Sequence, residues 1–145
     1  FAISIALKSK NEIISGVIYD PIKDEIFFAE KDNGAFLNNH RMRVSTKNDI
    51  NNCLFAVGGK FQTELNFPNR KSGCAALDLA YVASGRLDGY VQDNLNLWDI
   101  AAGIILVKEA GGLINKIDLN KTEKLNVIAS SVNINDKFQE KIGNF

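Results

Sequence analysis

The sequence predicts a mixed α/β (α+β) fold, in which an antiparallel sheet comes first and helices alternate with strands afterwards. Residues 1–45 alternate apolar and polar side chains with the period of two that is typical of strands, and turn residues divide them. Two later runs, 75–83 and 99–110, carry broad apolar surfaces and are followed by glycines, as buried helices often are. A short strand is predicted between them, at 86–92.

The composition allows a sizeable core and excludes several classes of function. The chain has 145 residues, 46% of them hydrophobic, and 17 basic and 17 acidic residues give a formal net charge of 0. No basic field favours nucleic acid, and no signal peptide or membrane-spanning run is present. Cys53 and Cys74 form no CxxC motif, which fits a reducing compartment better than a zinc site or a disulfide framework. We therefore expect a cytoplasmic protein with no membrane contact.

Residues 1–48 are predicted to complete the first domain as a β meander. The strands are expected at 1–7, 13–19, 25–30 and 35–37. The Asn33-Gly34 step before the fourth strand favours a tight hairpin. His40 is the only histidine and has no partners for a Ser-His-Asp triad, so it is predicted to lie on the surface.

Residues 49–145 are predicted to form a second α/β domain. Its outer elements are a polar linker at 45–52, strands at 53–57, 113–117 and 125–130, an irregular stretch at 60–71, and a terminal helix at 133–142. Gly58 and Gly59 follow the first of these strands and indicate a turn rather than a phosphate-binding loop, because no GxxxxGK[ST] pattern follows.

Asp99 is predicted to open the second long helix. Aspartate is a favoured N-cap residue, and its charge suits the positive end of the helix dipole. The small residues Ala101, Ala102 and Gly103 follow it, so a ligand could approach the backbone closely. A functional Asp99 that binds a cation or phosphate and a plain N-cap are both consistent with this pattern.

Small residues also lead into the first helix, where Gly73 and Cys74 precede Ala75. If the two helix starts lie at the same edge of a sheet, their N–H groups could converge on a single anion. Asp78 within the first helix and Asp88 in the short strand could be catalytic, although turn and capping roles are more common for such residues.

At these residues the chain resembles the inositol monophosphatase family, in particular its bacterial branch. The runs WDIAAG and KEAGG, with SGCAALDLAYVASGRLDGY upstream, are similar to the C-terminal signature of that family. FAISIAL, GVIYDPIKDEIFFAEKDNGAFLNN and RVS match it in order, so the resemblance covers nearly the whole chain. It implies a layered sugar-phosphatase-like fold, with an antiparallel sheet followed by a mixed α/β sheet and the active site between them.

The resemblance also assigns roles to individual residues. It implies that Asp99 binds Mg²⁺ at the substrate site and that Gly73, Cys74 and Ala75 contact substrate. Gln92 stands where the family carries a glutamate that contacts substrate hydroxyls, and this departure leaves the substrate open. The family's DPxDGTxNF motif and an upstream metal-binding glutamate do not occur in the chain, so we expect the C-terminal part of a longer protein, inactive alone.

The function implied by the resemblance is Mg²⁺-dependent hydrolysis of inositol monophosphate or a related polyol or sugar phosphate. Histidinol phosphate, fructose bisphosphate and adenosine bisphosphate are alternative substrates within the superfamily. Some bacterial members of the family also bind transcription machinery, so a non-enzymatic role is a second hypothesis. A catalytically silent relative is the third, for which Gln92 is the only indication. The expected assembly is a homodimer.

Overall fold

The computed structural model describes residues 1–62 and 65–143 and contains two five-stranded sheets. The first sheet is an antiparallel meander in chain order, formed by β1 (Ile3–Ser9), β2 (Glu12–Asp20), β3 (Glu25–Glu30), β4 (Gly34–Leu37) and β5 (His40–Arg41). The meander predicted from the alternating pattern is therefore confirmed. His40 lies exposed in the last strand, as predicted.

The second sheet is mixed, as the resemblance implied. Its strands are β6 (Phe55–Val57), β7 (Asn69–Arg70), β8 (Gly89–Leu95), β9 (Leu113–Ile114) and β10 (Leu125–Ser130), in the spatial order β7-β6-β8-β10-β9. Strand β6 runs parallel to β7 and to the central strand β8, whereas β10 runs antiparallel to β8 and β9. The mixed α/β fold class is thus the observed one.

Three helices accompany the sheets: α1 (Ala75–Ala83), α2 (Leu97–Glu109) and α3 (Asn135–Ile142). Both α1 and α2 contact strands of both sheets, so they form the layer between them. The core follows from this arrangement, because the inner face of the first sheet buries Ile18 and Phe27 in the same cluster as Leu79 and Leu106 of the helices. None of the described helices is long and apolar enough to cross a membrane.

Several boundaries differ from the predicted ones. The strand expected at 86–92 begins three residues later, because the N–H groups of Arg86 and Leu87 both donate to the carbonyl of Tyr81 and continue the turn that ends α1. The strand expected at 113–117 is reduced to two residues, and the terminal helix is preceded by a 3₁₀ turn. Residues 63 and 64 of the irregular stretch lie outside the described residues.

The outer face of the first sheet is apolar and open in the described part of the chain. Ile3, Ile5 and Leu7 of β1 are 53%, 63% and 58% exposed, although they alternate with residues that face the core. The strand register continues this face across the sheet, since Ile5 lies opposite Val17 and Val17 lies opposite Phe28. An apolar face of this extent marks a surface that another polypeptide layer normally covers.

Two glycines allow α2 to pack closely against its neighbours. A Cβ atom at Gly103 would overlap the side chain of Leu79 in α1. A Cβ atom at Gly16 of β2 would lie 2.7 Å from Ile105 Cγ2 and 2.9 Å from Ala102 Cα. The small residues that follow Asp99 therefore admit a helix and a strand of the protein itself, and the expectation that they make room for a ligand is wrong in this respect.

Candidate active site

Asp99 lies in the first turn of α2 but is not its N-cap, which corrects the sequence prediction. The helix begins at Leu97, and Asn96 is the N-cap, with an extended backbone at φ −91° and ψ 158°. Asp99 is the third helical residue and forms a capping box with Asn96. Its Oδ2 atom accepts hydrogen bonds from the backbone N–H of Asn96 at 2.8 Å and from Asn96 Nδ2 at 3.2 Å.

The two oxygens of the Asp99 carboxylate differ in their hydrogen bonding. Oδ2 is committed to the protein, whereas Oδ1 takes part in none of the hydrogen bonds found within residues 1–62 and 65–143. The residue is half-buried, and Oδ1 is not among the buried side-chain oxygens without a partner in the described residues, so this oxygen is accessible to solvent. A carboxylate oxygen that is fixed in position but accepts no hydrogen bond from the protein is suited to bind a hard cation.

The start of α1 provides a group of backbone donors. Gly73 adopts φ +76°, a left-handed conformation in which glycine carries no steric cost. Cys74 is the N-cap and makes no side-chain hydrogen bond to the first turn, so the N–H groups of that turn are not satisfied by a capping side chain. Ser72 orders the approach to the helix, because its Oγ accepts from the backbone N–H of Cys74 at 3.0 Å.

One shallow cavity of about 230 Å³ joins the two helix starts. Its lining includes Gly73, Cys74 and Ala75 on one side and Asp99 on the other, together with Ala2, which precedes β1, and Ser4 of β1. Four of the five residues predicted for the site are thus brought together across 24 residues of sequence or more. A carboxylate and a helix N-terminus therefore line the same cavity, and these are the kinds of group that attract a cation and an anion, respectively.

Gln92 is not among the described residues that line this cavity. Its Oε1 atom accepts a 2.7 Å hydrogen bond from the hydroxyl of Tyr90, and its side chain packs against Gly58. Burial raises the pKa of Tyr90, and the negative charges of Asp78 and Asp99 raise it further, so the hydroxyl remains a donor. The side-chain amide of Gln92 is consequently held with its oxygen towards Tyr90.

Asp78 and Asp88 are buried carboxylates outside the cavity. Asp78 is 3% exposed, and desolvation raises its pKa to about 6, although a hydrogen bond from Ser72 acts in the opposite direction. Asp88 Oδ2 accepts from the backbone N–H of Leu54 at 2.7 Å and from Lys47 Nζ at 2.9 Å. Asp88 therefore connects the polar linker to the start of the second sheet through these two hydrogen bonds, which is a structural role.

The donor set fits one corner of a magnesium site. No group of three or more His, Cys, Asp or Glu side chains that could hold a metal exists among the described residues. Asp99 offers one unused carboxylate oxygen, whereas Mg²⁺ prefers an octahedral shell of oxygens that combines protein, water and substrate. The chemistry of Asp99 is right for this ion, and the other ligands would have to come from water, substrate or residues beyond those described.

Comparisons with known proteins show the family to which the chain is similar. A family model described as the inositol monophosphatase family matches residues 1–143. The inositol-1-monophosphatase of Mesorhizobium japonicum is 41% identical, over 81% of this chain and 50% of the relative. The Nus factor SuhB of Haemophilus influenzae is 38% identical, over 98% of this chain and 60% of the relative. The chain therefore spans about half the length of the curated relatives it matches.

Solved structures show the same fold. The crystal structure of the extragenic suppressor protein suhB from Bartonella henselae is 43% identical with a TM-score of 0.87, and the match covers 97% of this chain and 63% of that one. The IMPase of Thermotoga maritima is 36% identical with a TM-score of 0.83, and the match covers 94% and 58% of the two chains. The layered arrangement of two sheets and two central helices is therefore shared with these proteins.

Proposed function

The chain belongs to the inositol monophosphatase family, and on this basis we propose that it is the C-terminal part of a Mg²⁺-dependent phosphatase that hydrolyses inositol monophosphate or a closely related polyol phosphate. The observation that carries the proposal is the shared cavity, which is lined both by Asp99, whose Oδ1 atom makes no hydrogen bond among the described residues, and by the start of α1. Metal-assisted hydrolysis of a phosphate monoester uses a cation site beside an anion site, and the residues that line this cavity support the proposal that it holds both.

The residues of the chain would divide the work as follows. Oδ1 of Asp99 would contribute one ligand to the cation, while Oδ2 stays bonded to Asn96 and keeps the carboxylate in place. The N–H groups at Gly73 and Ala75 would hold phosphate oxygens through the positive end of the α1 dipole, whereas the N–H of Cys74 already donates to Ser72 Oγ, so Cys74 would contact substrate as part of the cavity lining. Bound Mg²⁺ supplies electrostatic stabilisation of the phosphate and a water of lowered pKa.

The charge of the site supports a metal-assisted reaction. A phosphate monoester carries up to two negative charges, and its hydrolysis is among the slowest uncatalysed reactions, so electrostatic stabilisation has to be large. The described lining of the cavity contains no lysine or arginine, and the chain has no net positive charge. The positive charge would therefore have to be imported, and a divalent cation at Asp99 meets that need.

Gln92 lies in β8 and is not among the described residues that line the cavity, but we propose that it affects the choice of substrate, since a glutamine offers both an acceptor and a donor where a glutamate offers acceptors only. With Oε1 on Tyr90, the amide Nε2 is the group left for a ligand. This favours a substrate whose nearby group accepts a hydrogen bond, and histidinol phosphate, fructose bisphosphate and adenosine bisphosphate stay in the set to be tested beside inositol monophosphate.

A regulatory role is the second candidate function. The relative from Haemophilus influenzae is named a Nus factor, and its similarity extends over 98% of this chain. We propose contact with transcription machinery as the alternative, which would require surface residues rather than the cavity. A variant that loses metal binding would then keep its regulatory activity.

The experiment is a phosphatase assay on the full-length protein that carries these 145 residues. We expect hydrolysis of inositol 1-phosphate that requires Mg²⁺, is abolished by EDTA and returns when Mg²⁺ is added back. Turnover of the whole phosphate panel should be measured on the same preparation. A folded protein that hydrolyses none of these esters at any Mg²⁺ concentration would contradict the phosphatase proposal and leave the regulatory one.

A further inference from the structure

Lys124 contacts the N-cap of α2 from a distant part of the chain. It immediately precedes β10, and its Nζ donates a 2.7 Å hydrogen bond to Oδ1 of Asn96. Asn96 in turn donates from its backbone N–H and from Nδ2 to Oδ2 of Asp99. The three side chains therefore form one chain of hydrogen bonds that ends at the carboxylate facing the cavity.

The chemistry of the two end groups fixes the amide between them in a single orientation. A lysine ammonium can only donate hydrogen bonds, and an ionised carboxylate can only accept them. Asn96 must therefore turn its oxygen to Lys124 and its nitrogen to Asp99, and a flipped amide would place like dipoles against both neighbours. Lys124 acts on Asp99 through this orientation, because it is bonded to the oxygen of the amide whose nitrogen holds Oδ2.

We propose that Lys124 and Asn96 are positioning residues that hold Asp99 so that its Oδ1 atom is presented to a divalent cation; this inference rests on the proposed function. Hydrogen bonds from the residues around a metal ligand orient that ligand, and the loss of such a bond often weakens metal binding strongly. Here these residues come from two different elements, the N-cap of α2 and the residue before β10.

The sign of the effect separates this role from plain electrostatics. A lysine near a cation site repels the cation, so the removal of its charge alone should tighten metal binding or leave it unchanged. If Lys124 holds Asn96 and thereby Asp99, its removal should weaken metal binding instead. The two readings predict opposite changes for one substitution.

The test is terbium luminescence of the full-length protein. Trp98 adjoins Asp99, is 73% exposed and is the only tryptophan of the 145 residues, so it can sensitise Tb³⁺ bound at this site. The variants are Lys124→Met, which keeps the length of the side chain, and Lys124→Arg, which keeps a donor. Lys121→Met is the matched control, because Lys121 is exposed in the same loop and its substitution removes the same charge.

We expect Lys124→Met to raise the dissociation constant for Tb³⁺ about tenfold and Lys124→Arg to restore it to within about twofold. Lys121→Met should leave it unchanged or lower it. Equal or tighter binding in Lys124→Met, or equal weakening in both lysine-to-methionine variants, would overturn the proposal.

The same measurement distinguishes this inference from the proposed function. If the parent binds Tb³⁺ in an Asp99-dependent manner but hydrolyses no phosphate ester, the phosphatase proposal fails and the positioning role still stands or falls on Lys124→Met. If the parent binds no Tb³⁺, the positioning role is overturned, whereas the phosphatase proposal is decided by the hydrolysis assay with Mg²⁺.

Discussion

Asp99→Asn separates metal binding from helix capping, because the two roles use different properties of the side chain. The asparagine keeps an oxygen that can accept from Asn96, as Oδ2 does now at 2.8 and 3.2 Å. It loses the negative charge beside the helix N-terminus, which is worth about 0.3–1 kcal/mol. The free energy of unfolding without metal should therefore fall by about 1 kcal/mol at most. The loss of a charged ligand should lower kcat by on the order of 100-fold or more, equivalent to about 2.7 kcal/mol of transition-state stabilisation.

The assay measures both quantities on one preparation of the full-length protein. Urea unfolding in EDTA gives the stability, and turnover across a range of Mg²⁺ concentrations gives kcat, which should recover in part at high Mg²⁺. Asp118→Asn is the control, since Asp118 is an exposed turn residue whose Oδ1 accepts from the backbone N–H of Asn120. Near-parental kcat at low Mg²⁺, with the change confined to stability, would refute the metal-ligand assignment and leave Asp99 as part of a capping box.

Three further predictions concern other parts of the chain. Residues 1–145 expressed alone should show no phosphatase activity, because the described residues supply no complete metal site. They should also associate through the open apolar face of the first sheet. Asp99-dependent turnover would contradict the first expectation, and a monodisperse fragment that melts cooperatively would contradict the second. Gln92→Glu should change the ratios of kcat/KM among polyol phosphates by roughly tenfold without loss of metal binding, since it replaces a donor by a charged acceptor; identical ratios across the panel would place Gln92 away from the substrate. Asp78 has a folded-state pKa raised from 3.8 to about 6, so the native state binds more protons than the unfolded state and the free energy of unfolding should fall as pH rises between these values. Asp78→Asn should remove that slope in pH-dependent urea unfolding, and an unchanged slope would mean that another group titrates.

Local patterns were sufficient to predict most of the helices and strands. They also placed Asp99 at the start of α2, although not at its exact position there. The first sheet follows from alternation and turn residues that lie next to each other in sequence, so its strand order needed no long-range information. The spacing of Asn96 and Asp99 is also a local signal, typical of a capping box, and a prediction that had used it would have begun α2 at the observed residue. The position of Gln92 against Tyr90 follows from their shared strand face, which the register of β8 determines.

Other contacts depend on the assembled sheet and cannot be predicted from the local sequence. Lys124 reaches Asn96 only because β10 pairs with β8 in antiparallel register, so that the start of one strand lies beside the end of the other. The exact start of β8 depends on the Tyr81 carbonyl, which takes two N–H groups that would otherwise belong to the strand. Pairings between residues this far apart are determined by tertiary packing, which propensity does not encode.

Gly103 gives the two halves of the cavity their separation, although no ligand would touch it. It lies one helical turn after Asp99, and Leu79, which rests on it, lies one turn after Ala75. A methyl group at Gly103 would push α1 and α2 apart and move Asp99 away from the start of α1. A screen for variants that bind phosphate poorly should therefore recover this position together with the residues that line the cavity. Because Gly103 has no side chain, Leu79 packs directly on α2, and this contact determines how far apart the starts of the two helices lie.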